Sequence, residues 1–180
     1  MAYDSARGKV VLFGGAYSDG YLSDTWEWDG TNWALRSPAT SPSARSGAAV
    51  AYDSGRGRIV LFGGFNGMNG TNYSYDTWEW DGSSWTQRNP TASPPQRHQA
   101  GIAYDSARGV TVLFGGYSGS NYYADTWEWD GTHWLQRLPA TSPPLRQGPG
   151  MAYDSVRART VLFGGLSTVR LSDTWEYPGP

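Results

Sequence analysis

Four glutamates recur in one local setting: Glu27, Glu79, Glu128 and Glu176, each preceded by Asp-Thr-Trp. Two carboxylates flanking a glycosidic bond act as acid and nucleophile only when unlike environments hold them at different pKa values. Four equivalent settings do not provide that asymmetry. The pattern predicts structural carboxylates, each bonded to a nearby arginine or backbone N–H. The tryptophans around them, Trp26/Trp28, Trp78/Trp80 and Trp127/Trp129, are spaced by two and share a strand face. They read as packing residues rather than a sugar-stacking platform. The Asp-Gly pairs that follow, Asp29-Gly30, Asp81-Gly82 and Asp130-Gly131, are turn chemistry.

Other chemistry is sparse. The chain has no cysteine, which excludes disulfides, thiolate metal sites and cysteine nucleophiles. His98 and His133 are the two histidines, one before a first strand and one in a later turn, on opposite faces of a repeat unit. No catalytic residue, metal or cofactor is expected. Arg45, Arg97 and Arg146 recur after Pro-rich linkers, where each can fix the linker through carbonyls or offer a fork to an anionic ligand group. Segments 16–23, 65–75, 117–124 and 166–172, the expected loops between the second and third strands, differ while everything around them repeats. Their Tyr17, Tyr21, Asn66, Asn69, Tyr73, Tyr117, Asn121 and Tyr122 are rigid aromatics and small polar groups suited to recognition. With His98 and the three arginines they form the candidate ligand-binding set.

The composition is that of a turn-rich all-β chain: 24 Gly and 11 Pro beside 10 Trp and 12 Tyr in 180 residues. The net charge is −2 and the arginines are dispersed, so no field suits nucleic acid or a membrane surface. No apolar run approaches the ~18 residues of a membrane span. The N-terminus has no signal-peptide core, and a soluble chain is expected. Ala-Tyr-Asp-Ser recurs with its tyrosine at Tyr3, Tyr52, Tyr104 and Tyr153, Leu-Phe-Gly-Gly with its first glycine at Gly14, Gly63, Gly115 and Gly164, and a lone tryptophan at Trp33, Trp85 and Trp134. A period near 50 residues marks one supersecondary unit per repeat. The second copy shows the unit: strands over 48–52, 58–62 (ended by Gly63-Gly64) and 76–80, and a fourth around Trp85. Four hairpin-linked strands make one antiparallel blade.

These motifs resemble the kelch repeat: Phe13-Gly14-Gly15 with Trp26 and Trp33, Phe62-Gly63-Gly64 with Trp78 and Trp85, Phe114-Gly115-Gly116 with Trp127 and Trp134. The resemblance covers essentially the whole chain and implies an all-β kelch-type β-propeller of four four-stranded antiparallel blades, the first strand of each lining the channel. It also places the recurrent arginines near the channel mouth. The last blade lacks its outer strand, because the chain reads Trp175-Glu176-Tyr177 and then Pro178-Gly179-Pro180. A single propeller domain over 1–180 is expected, with repeats near 1–45, 46–97, 98–146 and 147–180. A radical-copper centre, known on this fold, needs a Cys–Tyr crosslink and histidine ligands, and the absence of cysteine excludes it.

Apolar residues at consecutive positions, as in Val10-Val11-Leu12-Phe13, require cover on both faces of each blade. Blade must stack on blade. A sealed four-bladed ring, a homodimer closing an eight-bladed ring, and a piece of a longer propeller all satisfy this. The reuse of one blade interface favours the homodimer, with Val11 expected at a seam between chains. The expected function is a non-enzymatic binding or scaffold module presenting loops for protein or small-ligand recognition, a carbohydrate included. The alternatives are a carbohydrate-active or sugar-isomerising kelch enzyme, and a propeller fragment or engineered repeat chain with no ligand of its own.

Overall fold

The computed structural model describes residues 1–67 and 72–180. Four antiparallel sheets follow one another along the chain as the blades of a propeller. Blade 1 is β1 (Ala2–Asp4), β2 (Lys9–Tyr17), β3 (Gly20–Trp28) and β4 (Trp33–Arg36). Blade 2 is β5 (Ala49–Asp53), β6 (Arg58–Phe65), β7 (Tyr73–Trp80) and β8 (Trp85–Arg88). Blade 3 is β9 (Gly101–Asp105), β10 (Val110–Phe114), β11 (Thr126–Trp129) and β12 (Trp134–Arg137). Blade 4 has three strands, β13 (Gly150–Asp154), β14 (Arg159–Leu166) and β15 (Arg170–Tyr177). The inner strands β1, β5, β9 and β13 neighbour one another in that order.

Short polar side chains set the turns. Asp4 Oδ1 accepts the backbone N–H groups of Ala6 and Arg7 at 3.1 Å, and Asp105 repeats this with Ala107 and Arg108. At the next hairpin Asp29 Oδ1 accepts from Thr31 and Asn32 at 2.8 Å. Both are side chains closing their own turn.

The Gly-Gly pair ends the second strand only in blade 3, where β10 stops at Phe114. In blades 1, 2 and 4 the strand runs on through it with a shift of register, a bulge. The first glycine of each pair has a left-handed backbone, φ +61° at Gly14 and +67° at Gly63 and Gly115. A Cβ there would lie 2.5, 2.4 and 2.6 Å from the carbonyl oxygens of Arg45, Arg97 and Arg146. Only glycine lets the linker arginine approach. As a consequence, segment 16–23, expected as a loop, is mostly a continuation of the β2–β3 hairpin, with Tyr17 opposite Gly20.

The core lies in the seams between blades. Val11, Ile59, Leu61, Trp80 and Trp85 form one buried cluster. Ala49, Val60, Phe62, Leu113, Trp127, Trp129 and Trp134 form the next. Val11 is 1% exposed and lies in the seam between blades 1 and 2 of the same chain, so it does not mark a boundary between chains. Phe13 meets Trp85 edge-on at 5.3 Å, and Phe62 meets Trp134 at the same distance. Blade 4 brings no such tryptophan to Phe114. In its place is a cleft lined by Phe114, Thr126, Met151, Leu162 and Tyr177.

Candidate binding face

Within each blade the second-to-third-strand connection and the linker from the preceding blade lie at the same end, because the strands alternate in direction. The recurrent arginines build this end. The backbone of Arg45 is held by blade 1: its N–H donates to Leu22 O at 3.0 Å and its carbonyl accepts from Gly15 at 2.9 Å. Its side chain reaches into blade 2. Nη1 donates to Gly63 O at 2.9 Å and Asp76 Oδ1 at 2.5 Å, and Nη2 to Asp76 Oδ2 at 2.9 Å. Arg97 repeats this with Gly115 and Asp125, and Arg146 with Gly164 and Asp173. Each arginine therefore staples two blades. All three are at most 2% exposed, and their forks are occupied within the chain rather than turned to solvent. The guanidinium forks outweigh burial and hold the carboxyls of Asp76 and Asp125 below the usual range.

The staple fixes the residue after it. Ser46, His98 and Gln147 form β-bridges with Phe65, Tyr117 and Leu166, the residues just beyond each Gly-Gly pair. This sets aromatic rings side by side across three blades. Tyr21 lies 5.7 Å from Phe65 (ring centroids), and Phe65 lies 4.8 Å from Tyr73 and 5.6 Å from His98. Tyr73 lies 5.3 Å from His98 and 6.3 Å from Tyr117, His98 5.8 Å from Tyr117, and Tyr117 4.7 Å from Tyr122. The rings are half-buried and packed on one another. Tyr123 stacks under the Arg97 guanidinium at 4.0 Å.

Tyr21, Tyr73, His98, Tyr117 and Tyr122 are thus brought together from the expected set. Tyr17 stands apart, 57% exposed over Gly20. Asn66 donates its backbone N–H to Asn72 O at 3.0 Å, and Asn121 O accepts from Ser118 at 3.0 Å, so both close their own loops. Asn69 lies outside the described residues. Phe65, which touches three rings of the arc, was not in the set. The signal for it was its place directly after Gly63-Gly64, equivalent to Tyr117 after Gly115-Gly116.

The arc carries no fixed charge of its own. Burial lowers the His98 pKa and favours the neutral ring. Burial and the neighbouring Tyr117 raise the Tyr73 hydroxyl. His133 sits in a turn at the opposite end, 3.6 Å from Asp130. Among the described residues no cluster of three metal-ligating side chains occurs.

The repeated glutamates have the structural role expected of them. Glu27 accepts from Arg7 at 2.5 Å, Arg36 at 2.9 Å and, across the seam, Trp80 Nε1 at 3.2 Å. Glu79 accepts likewise from Arg56, Arg88 and Trp129, and Glu128 from Arg108, Arg137 and the Tyr177 hydroxyl. Burial raises the Glu27 and Glu79 carboxyls, but these donors outweigh it and leave both below the ordinary value.

Comparison with curated proteins gave no match. The domain family described as the KLHDC2/KLHL20/DRC7 Kelch-repeats domain matches residues 1–178, and kelch propellers typically serve as protein-interaction modules. Repeat motifs, blade topology and this match agree, and the chain belongs to the kelch-repeat family.

Proposed function

We propose that this chain is a non-enzymatic binding module whose partner docks on the aromatic arc of Tyr21, Phe65, Tyr73, His98, Tyr117 and Tyr122. The observation that carries the reading is the contiguity of these rings across three blades, on segments that differ from repeat to repeat. A neutral aromatic platform backed by buried Arg–Asp staples suits apolar and aromatic side chains of an exposed protein segment. The arginines act as supports of this platform. A general-acid role for Glu27 and Glu79 is disfavoured by their lowered carboxyl pKa values and by the arginine and indole donors that occupy them, since a general acid needs a raised value.

The test is selection of peptides from a displayed random library on the purified chain. Selected peptides are expected to lose about tenfold or more in affinity with Tyr73→Ala or Tyr117→Ala, each variant still folded and melting in one cooperative transition, at a lower temperature because a packed ring is gone. Peptides that bind both variants as well as the parent chain would remove the arc from the binding site.

A further inference from the structure

Gly47, Gln99 and Gly148 stand at one repeated position, each two residues beyond a stapling arginine. All three lie in the left-handed region, at φ +62°, +51° and +60°. Hydrogen bonds between blades hold that shape: Gln99 donates its N–H to Gly47 O at 2.7 Å, and its own carbonyl accepts from Gly148 at 2.7 Å. Glycine enters this region freely, whereas a residue with a Cβ is strained there. The chain thus carries a glutamine at a strained position where two neighbouring copies manage with glycine. Strain of this kind persists where the surroundings over-determine it, and it collects at binding sites.

The Gln99 side chain lies beside the aromatic arc. A Cβ on Gly47 would come within 3.2 Å of His98 Nδ1 and 3.3 Å of Gln99 Cγ, so Gly47 leaves the room that both side chains use. Gln99 runs past the His98 ring over the linker from blade 1, and it is exposed. His98 in turn packs on Phe65, Tyr73 and Tyr117. Among the described residues no group hydrogen-bonds the Gln99 carboxamide. The forks of Arg45 and Arg97 nearby are filled by Asp76 and Asp125. A free donor and a free acceptor therefore stand at the edge of a neutral aromatic surface.

We infer, on the reading of the arc as the docking face, that Gln99 is a specificity-determining residue that pairs with a main-chain amide of an extended partner segment. A carboxamide offers an acceptor oxygen and an NH2 donor side by side, the complement of the N–H and C=O of a peptide chain. Aromatic rings accept side chains by shape and area, and the carboxamide adds a directional bond that sets the register of the segment across them. The fixed backbone serves this role. With φ, N–H and carbonyl of Gln99 all held by adjacent linkers, only side-chain torsions remain to be ordered on binding.

The probes are peptides selected on the parent chain that lose affinity with Tyr73→Ala. Gln99→Gly copies the neighbouring repeats and keeps both backbone hydrogen bonds. It is expected to melt at or above the parent temperature, because strain is relieved, and to bind these peptides about fivefold or more weakly. Gln99→Glu keeps the shape of the side chain, removes the NH2 donor, and is expected to lose a similar factor. Methylating the peptide amides one at a time is expected to reveal a position that weakens binding to the parent chain but not to Gln99→Gly. Undiminished binding by either variant, a lower melting temperature in Gln99→Gly, or no methylation effect that depends on residue 99 would overturn the inference and leave the arc as the docking face. Peptides indifferent to Tyr73 and Gln99 alike would overturn both.

Discussion

The indole nitrogen of Trp129 donates a 2.9 Å hydrogen bond to Glu79 Oε1 across the seam between blades 2 and 3. The same carboxylate is pinned within its own blade by Arg56 at 2.5 Å and Arg88 at 2.9 Å. A largely aromatic and aliphatic seam, which also holds the bond from Trp134 Nε1 to Thr77 Oγ1, thus carries one charged acceptor with three fixed donors. Apolar contact supplies the driving force, and this directional bond admits one angular arrangement of the neighbouring blade. The binding face depends on that arrangement, because its rings come from three different blades.

Removing the acceptor is expected to be costly where the seam is formed and cheap where it is open. Glu79→Ala leaves two guanidiniums and an indole N–H without their carboxylate, a loss of about 3–5 kcal/mol. Glu176, with a side chain 38% exposed, sits on the uncovered face. Glu176→Ala is expected to cost about 1 kcal/mol or less. Urea unfolding of the two variants beside the parent chain measures the difference, and equal losses would contradict it.

A second expectation concerns the first hairpin of each blade. Gly8, Gly57 and Gly109 occupy the left-handed region at φ +64°, +63° and +69°, and blade 4 places Ala158 there at φ +52°. A side chain in that region is strained by about 1–2 kcal/mol. Ala158→Gly is expected to stabilise the chain by about 1 kcal/mol, and Gly57→Ala to destabilise it by a similar amount. Thermal melting of both variants checks the sign.

Acid is expected to weaken the fold in two stages. His98 has a pKa below its ordinary 6.5, so as pH falls below that value the unfolded chain takes up a proton that the folded one refuses. Stability therefore begins to decline gently near pH 6.5. Glu27 and Glu79 are held below 4.5, and Asp76 and Asp125 below 3.8. Their stabilisation is complete above those ordinary values and is lost as pH falls through the lower folded ones, giving a steep second stage. His98→Phe is expected to abolish the first stage and leave the second, read from melting temperature against pH. A first stage unchanged in that variant would assign it to another group.

The repeating residues were informative by themselves because each encodes a local event. Asp-Ser and Asp-Gly close turns through their own side chains, β-branched runs extend, and an Asp-Thr-Trp-Glu motif at every repeat demands the same neighbour each time. Blade topology, the missing outer strand of blade 4 and the structural role of the glutamates all follow from such local rules. The Gly-Gly pairs show the limit of that reading. They look like strand ends, yet in three blades the strand passes through them as a bulge, because the carbonyl of a distant arginine needs the room that a side chain would fill. Arg45, Arg97 and Arg146 are equally legible as recurrent and equally silent about burial, since the aspartates that take their forks lie 27 to 31 residues away. Trp33 and Trp85 share their local sequence setting, but one is 44% and the other 1% exposed. Burial belongs to the blade that stands next to a residue, and only the stacking of blades decides that. The same holds for the aromatic arc: ring contacts between Tyr21, Tyr73 and Tyr117 depend on how far each seam rotates one blade against the next, a quantity that no single repeat contains.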